Sequence, residues 1–284
     1  MAHSKNHVGK RHFIIPDPQC KPGTPLDHLY WVAQAMVDYH ADRYINIGDH
    51  YDMPSLSRYE EKGSKSMEGA RYEADIAVGR QGFDILNTPI GREIKRAARN
   101  KTKKWDPTFD YALGNHENRT ERAVEQDPKL DGPISIRHCA SPGWRRHDFL
   151  ERFWLDGVCY SHYFQGQNSS FPVGGTIDNR LNKIGESFVQ GHQQGFMYGN
   201  RVYPTGRMRH GLVAGSCYLH REKYKGNQGN NHFRGVVVLN EVNDGDYCIM
   251  PLSLKYLCKR YEGKDLLDYM YKKYPKDNWE HLRT

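Results

Sequence analysis

The sequence is punctuated by short apolar runs, each of which breaks into a polar cluster. His12-Phe13-Ile14-Ile15 leads into Pro16-Asp17-Pro18-Gln19, and Tyr44-Ile45-Asn46-Ile47 into Gly48-Asp49-His50-Tyr51-Asp52. Phe109 to Leu113 leads into Gly114-Asn115-His116-Glu117, Gly157 to Tyr160 into Ser161-His162, and Ser187 to Gln190 into Gly191-His192. Runs this short, bounded by Gly, Pro or Asp, read as buried strands. Between the first two, Leu26, Leu29, Tyr30, Ala33, Met36 and Val37 recur at helical spacing. A strand–helix–strand crossover is therefore expected, and with it a parallel arrangement. Ligands of open parallel sheets gather at the carboxyl ends of the strands. A single Asp or Gly-Asp there would be an ordinary turn; five clusters together predict a shared site.

Composition narrows the partners. Hydrophobic residues make up 37% of the 284 and charged residues 26%, and nineteen Tyr, ten Phe and five Trp can build a core. No stretch approaches the eighteen apolar residues of a membrane span, and Met1 to Arg11 has no apolar segment suited to a signal peptide. The six cysteines form no C-x-x-C pair, which fits reduced thiols and a cytoplasmic setting. The formal net charge of +7 favours a polyanion.

No repeat or low-complexity linker divides residues 1–284, so one domain is expected, with 54–104 as a helical basic insertion and 253–284 as a C-terminal helix and tail. Seven Lys or Arg lie between Arg92 and Lys104, followed by Trp105. Such a run is either a solvated helix face or a track for phosphate backbone, with the indole as a platform for a base. The pairs Arg234–Leu239 and Tyr247–Leu252 flank Asn243-Asp244-Gly245-Asp246, a hairpin signal, and Leu212 to Leu219 reads as a strand flanked by His210 and His220 near the mouth of the site.

In order and spacing, the five clusters resemble the calcineurin-like metallophosphoesterases, whose pattern runs D-x-H, G-D-x-x-D, G-N-H-[ED], a lone His, then G-H-x-H. The match spans roughly residues 12 to 195, and Ile15-Pro16-Asp17 through Asp52-Met53-Pro54-Ser55-Leu56-Ser57 is similar to the branch found in bacteriophage genomes. The resemblance implies an α/β fold, an α/β/β/α sandwich of two mixed sheets with helices outside. It implies a dinuclear centre in which Asp49 bridges two divalent ions, Asn115, His162 and His192 complete one shell, and Asp17 anchors the other. Two such ions, about 3.5–4 Å apart, neutralise phosphoryl oxygens and make hydroxide available at neutral pH. It further implies that a metal-bound hydroxide attacks phosphorus while His116, oriented by Asp52, assists the leaving oxygen.

Two positions depart from the family pattern: Gln19 and Gln194 stand where the family has histidines, both on the same ion. If both coordinate, that ion sees only oxygen donors, which suit Mn²⁺, with Mg²⁺, Fe or Zn²⁺ open. Arg119 and Arg122, on a helix after the third cluster, and His50 are candidate substrate contacts. The expected activity is hydrolysis of phosphodiester bonds, with nucleic acid as the substrate class. A protein or nucleotide phosphomonoesterase of the same fold, or a degenerate nucleic-acid binder, remains open.

Overall fold

A computed structural model of the chain describes residues 9–57, 69–100, 105–222, 225–226 and 228–283. In chain order these form β1 (Lys10–Ile15), α1 (Asp27–Tyr39), β2 (Arg43–Asn46), α2 (Tyr72–Arg99), β3 (Thr108–Ala112), α3 (Arg119–Gln126) and β4 (Arg145–His147). There follow β5 (Phe153–Leu155), β6 (Val158–Tyr160), α4 (Ile177–Ile184), β7 (Phe188–Gln190), β8 (Phe196–Val202) and β9 (Met208–Ala214). The hairpin β10 (Gly235–Asn243) and β11 (Asp246–Ser253) then leads into α5 (Leu254–Glu262) and α6 (Leu266–Lys273).

Two mixed sheets result, six strands in the order β11-β10-β1-β2-β3-β4 and five in the order β5-β6-β7-β9-β8. Within the first, β1 to β4 run parallel; within the second, β6, β7 and β9 do. The crossover through α1 joins β1 to β2 in parallel, as the helical spacing requires.

Alternation along each strand separates the layers. Ile14, Ile45, Ala112, Val158, Tyr160, Val189, Val237 and Leu239 pack between the sheets. Their neighbours Phe13, Ile15, Tyr44, Tyr111, Val236 and Val238 face the other way, onto α1, α2, α5 and α6. Cys159 and Phe188 cover the far side of the second sheet against Leu181 of α4. Strands buried on both faces explain why the sequence shows apolar runs rather than alternation. Each fully buried Phe or Ile contributes about 1.5–3 kcal/mol. The architecture is the α/β/β/α sandwich, two mixed sheets with helices outside.

Several local expectations change. Strand β9 starts at Met208, because its pairing with β8 reaches back to Val202, and it ends at Ala214. His210 thus lies within the strand, bonded to Asp246 and Tyr198, and not at a mouth. In the 54–104 segment, Pro54–Leu56 is a short 3-10 turn and α2 accounts for 72–99; residues 58–68 and 101–104, with Lys101, Lys103 and Lys104, lie outside the described residues. The α2 helix is about 42 Å long at 1.5 Å per residue. Its start meets the loop after β2, where Asp75 accepts from Ser55. Its end reaches the opposite edge, where Glu93 pairs with His40, just before β2 begins. The described part of the basic run, Arg92 to Arg99, therefore sits away from the carboxyl ends. Trp105 is not a free platform: its ring stacks on His40 at 4.2 Å and its indole N–H bonds the Ala41 carbonyl.

Close packing of α2 on the loop after β2 depends on Gly79, where an added Cβ would lie 2.0 Å from Tyr51 Cδ1. Gly79→Ala should destabilise the protein by about 1–3 kcal/mol. Gly91→Ala, on the same helix with open space around it, should be neutral or stabilising, since Ala is the better helix former. Thermal melts of the two variants check this; equal midpoints would contradict it.

Candidate metal centre

Asp17 follows β1, Asp49 follows β2, Asn115 follows β3, His162 follows β6 and His192 follows β7. All five leave strand ends that point the same way, so the two sheets deliver the loops to one edge. The turns are tight and partly strained: Asp17, Gln19, Asp49, His192 and Gln194 all have positive φ, between 40° and 67°. Left-handed non-glycine residues are uncommon and cluster at functional sites.

Asn115 Oδ1 lies 2.7 Å from His192 Nδ1 and 3.0 Å from His162 Nε2. Asp49 Oδ2 is 3.3 Å from His162 Nε2, and ligand atoms of Asp49, His162 and His192 all fall within 4.8 Å of one another. The second nitrogen of His162, Nδ1, is 2.9 Å from the Ile47 carbonyl, an arrangement that turns Nε2 toward the cluster. Asp49 Oδ1 accepts the His116 backbone N–H at 2.9 Å, leaving Oδ2 to face inward. That approach needs Gly114, where a Cβ would lie 2.1 Å from Asp49 Oδ1.

Glu117 ties the loops together. Its Oε2 accepts the backbone N–H groups of Gly114 and Asp49, and its Oε1 accepts the Tyr51 backbone N–H and the Tyr111 O–H. Its place directly after His116 in the third cluster is the only sequence signal for this role. Burial and the Asp49 charge push its carboxyl above the usual range.

On the other side the donors are dissimilar. Asp17 Oδ1 accepts the His192 N–H at 3.1 Å, whereas Asp17 Oδ2 and both amide atoms of the buried Gln19 have no hydrogen-bond partner among the described residues. Gln194 does not offer a free donor: its Oε1 accepts from Tyr218 Oη at 2.6 Å and from Lys225 Nζ.

A cleft of about 220 Å³ opens over the cluster, lined by Asp49, Asn115, His116 and His192 together with Lys21, Asp52, Arg119 and Glu222. His116 Nδ1 is 2.7 Å from Asp52 Oδ1, and its Nε2 is 3.7 Å from Asp49 Oδ2. Arg119 is pinned by the Asp52 and Met53 carbonyls and sets its second nitrogen 3.2 Å from His116 Nε2. Lys21 and Glu222 carry no motif and are missed by sequence reasoning; Lys21 bridges Asp52 at 3.4 Å and Glu222 at 3.5 Å.

Two expected substrate contacts lie elsewhere. His50 is fully buried beneath α2, stacked on Phe83 at 3.8 Å, and its Nε2 lies 2.9 Å from the Gly79 carbonyl. Burial pushes it down to about 4, so it is neutral. Arg122 does not line the cleft and donates to the Asn115 carbonyl.

The charges follow from this packing. Burial opposes ionisation of Asp49, but His116 and His162 outweigh it and hold the carboxylate well below its usual range. Burial likewise opposes ionisation of Asp52 and is outweighed by its bond to His116. His116 is raised despite burial, because Asp49 and Asp52 prevail over Arg119. His162, against burial, is lifted to about 9 by Asp49, and His192 is lowered to about 4 by burial and by His162. Burial and Asp49 push Asp17 up to about 7.

A carboxylate, an amide oxygen and two imidazoles converging within this radius fit one divalent transition ion. No protein-family model and no curated protein matches the chain. Among solved structures it is similar to YfcE, a phosphoesterase from E. coli, at 11% identity and a TM-score of 0.39, covering 84% of this chain and 98% of that one. It is similar also to TT1561 of Thermus thermophilus, at 10% identity and a TM-score of 0.32, covering 86% and 99%. At this degree of likeness, activity has to be argued from the residues.

Raised folded-state basicity means that His162 carries a proton below about pH 9, and that proton must leave before Nε2 can coordinate. Affinity of the metal-free protein for Mn²⁺ or Zn²⁺ should therefore increase with pH between 6 and 9, by up to about tenfold per unit. Calorimetry in buffers of different ionisation enthalpy should show about one proton released per ion near pH 7. A pH-independent affinity without proton release would contradict the assignment.

Proposed function

We propose that this chain is a metal-dependent phosphoesterase. One observation carries the reading: the His116–Asp52 pair opens into the same cleft as Asp49, Asn115 and His192, with His116 Nε2 3.7 Å from the Asp49 carboxylate. A divalent ion held by Asp49, Asn115, His162 and His192 would supply Lewis-acid charge on a phosphoryl oxygen and acidify water.

The protein supplies the rest. Asp52 holds His116 through Nδ1 and, with Asp49, raises its basicity, while Nε2 faces the cleft. Arg119, fixed by two carbonyls, aims its guanidinium at the same point. Imidazole and guanidinium thus converge where an oxygen of the substrate would sit, and His116, once protonated, can pass that proton to the departing alkoxide. Lys21, 3.4 Å from the outer oxygen of Asp52, offsets the charge of that carboxylate, which would otherwise repel an anionic substrate.

We extend the proposal to phosphodiesters over monoesters. Of the two Lys and Arg side chains lining the cleft, Lys21 is engaged by Asp52 and Glu222, and Arg119 gives one nitrogen to carbonyl oxygens and keeps the other for substrate. Glu222 adds a carboxylate to the wall, which suits one substrate charge better than two. Net charge supports nucleic acid as the polyanionic diester. The Arg92–Arg99 stretch lends no support, because it lies at the other end of α2.

His116→Ala should leave the metal content unchanged while turnover falls about 10²-fold or more. Elemental analysis beside single-turnover kinetics measures both, and wild-type turnover would remove His116 from the reaction. Hydrolysis of bis-p-nitrophenyl phosphate should exceed that of the mono-ester at matched Mn²⁺; the reverse preference would overturn the diester assignment.

A further inference from the structure

By its place in the sequence, Gln194 is expected to complete the shell of a first ion, beside Asp17 and Gln19. Its carbonyl oxygen is instead committed to two donors, the Tyr218 hydroxyl and the Lys225 ammonium. Lys225 also lies 3.4 Å from Tyr218 Oη, so its head is fixed by two oxygens. Arg234 packs over the Tyr218 ring at 4.4 Å and donates to the Tyr218 carbonyl, which holds that anchor in place. Burial and Arg234 bring the Lys225 ammonium down to about 8, while Asp17, Glu222 and Asp49 favour its charged form.

We propose that the Lys225 ammonium stands in for the first divalent ion: the chain binds one ion tightly, at Asp49, Asn115, His162 and His192, and takes its second positive charge from lysine. The inference rests on the reading of the site as a phosphoester-hydrolysing centre. Three further observations support it. A divalent ion on Gln194 would share its oxygen with an ammonium. Only one group of three or more His, Cys, Asp or Glu ligand atoms converges among the described residues, and it lies on the other side, at Asp49, His162 and His192. Of the three residues expected on the first ion, Asp17 and Gln19 are buried away from the cleft, and Gln194 lines it with its oxygen already taken by Tyr218 and Lys225. The unpartnered oxygens of Asp17 and Gln19 are donors that a second ion would use once the lysine charge is removed.

Counting ions tests this without recourse to turnover. Metal-free protein is titrated with Mn²⁺ and followed by calorimetry and electron paramagnetic resonance. Wild type should take up one ion per chain, with the spectrum of an isolated Mn²⁺. Lys225→Met should bind a second ion at least tenfold more tightly than wild type and show an exchange-coupled pair, while Lys225→Arg keeps the single ion. Two ions of comparable affinity in wild type would overturn the proposal, and so would an unaltered second affinity in Lys225→Met. If Lys225→Met fails to fold, the wild-type count still decides. Failure to hydrolyse any phosphoester would refute the phosphoesterase reading, whereas the ion count reports on Lys225 alone.

Discussion

The buried carboxylate of Asp49 is the constraint around which this centre is arranged. A carboxylate taken out of water is costly unless charges and donors surround it. Here the His116 backbone N–H holds one oxygen, and the imidazoles of His116 and His162 face the other. Each partner arrives on a different strand, so the carboxylate is stable only when the loops after β2, β3 and β6 are all in place. Glu117 serves the same end from below, collecting four donors from three segments with one side chain. Positive φ at Asp49 and its neighbours is tolerated because these bonds overdetermine the turn.

From that charge the two halves of the centre diverge. On one side, Asn115, His162 and His192 gather nitrogen and oxygen donors within reach of Asp49, a set suited to a divalent ion. On the other, Asp17 and Gln19 are buried and Gln194 is turned to Tyr218 and Lys225. Along the cleft wall runs a third line of groups, from His116 through Asp52 and Lys21 to Glu222. In the proposed chemistry the first group holds the ion, the last manages the proton, and lysine adds positive charge on the remaining side. Alternation of signs keeps the groups along that wall paired, while Asp17 Oδ2 and the Gln19 amide stay without hydrogen-bond partners among the described residues.

What could be read from the residues in order, and what could not, divides along a physical line. Apolar runs with fixed breakers specify strands, and helical spacing between two of them specifies a parallel crossover, so the edge carrying the five clusters follows from local pattern, whereas the sandwich is implied by the family resemblance. Side-chain direction does not. His50 and His116 both sit in motif loops, yet the first is pressed under α2 beside Gly79 while the second enters the cleft. The basic run of α2 carries the right charge for a polyanion, but the length of the helix takes it to the far end of the sheet.

Lys21, Glu222 and Lys225 belong to no motif, because their roles come from partners far along the chain: Lys21 and Glu222 meet across 201 residues, and Lys225 reaches back 31 residues to Gln194. The sequence by itself determined which backbone segments become strands and which loops share an edge, since burial on both sheet faces and turn chemistry act over a few residues. Only the tertiary structure decided which polar side chains in those loops face one another, and which cation answers each carboxylate. Electrostatic pairing in a buried site is settled by distances that no stretch of sequence contains.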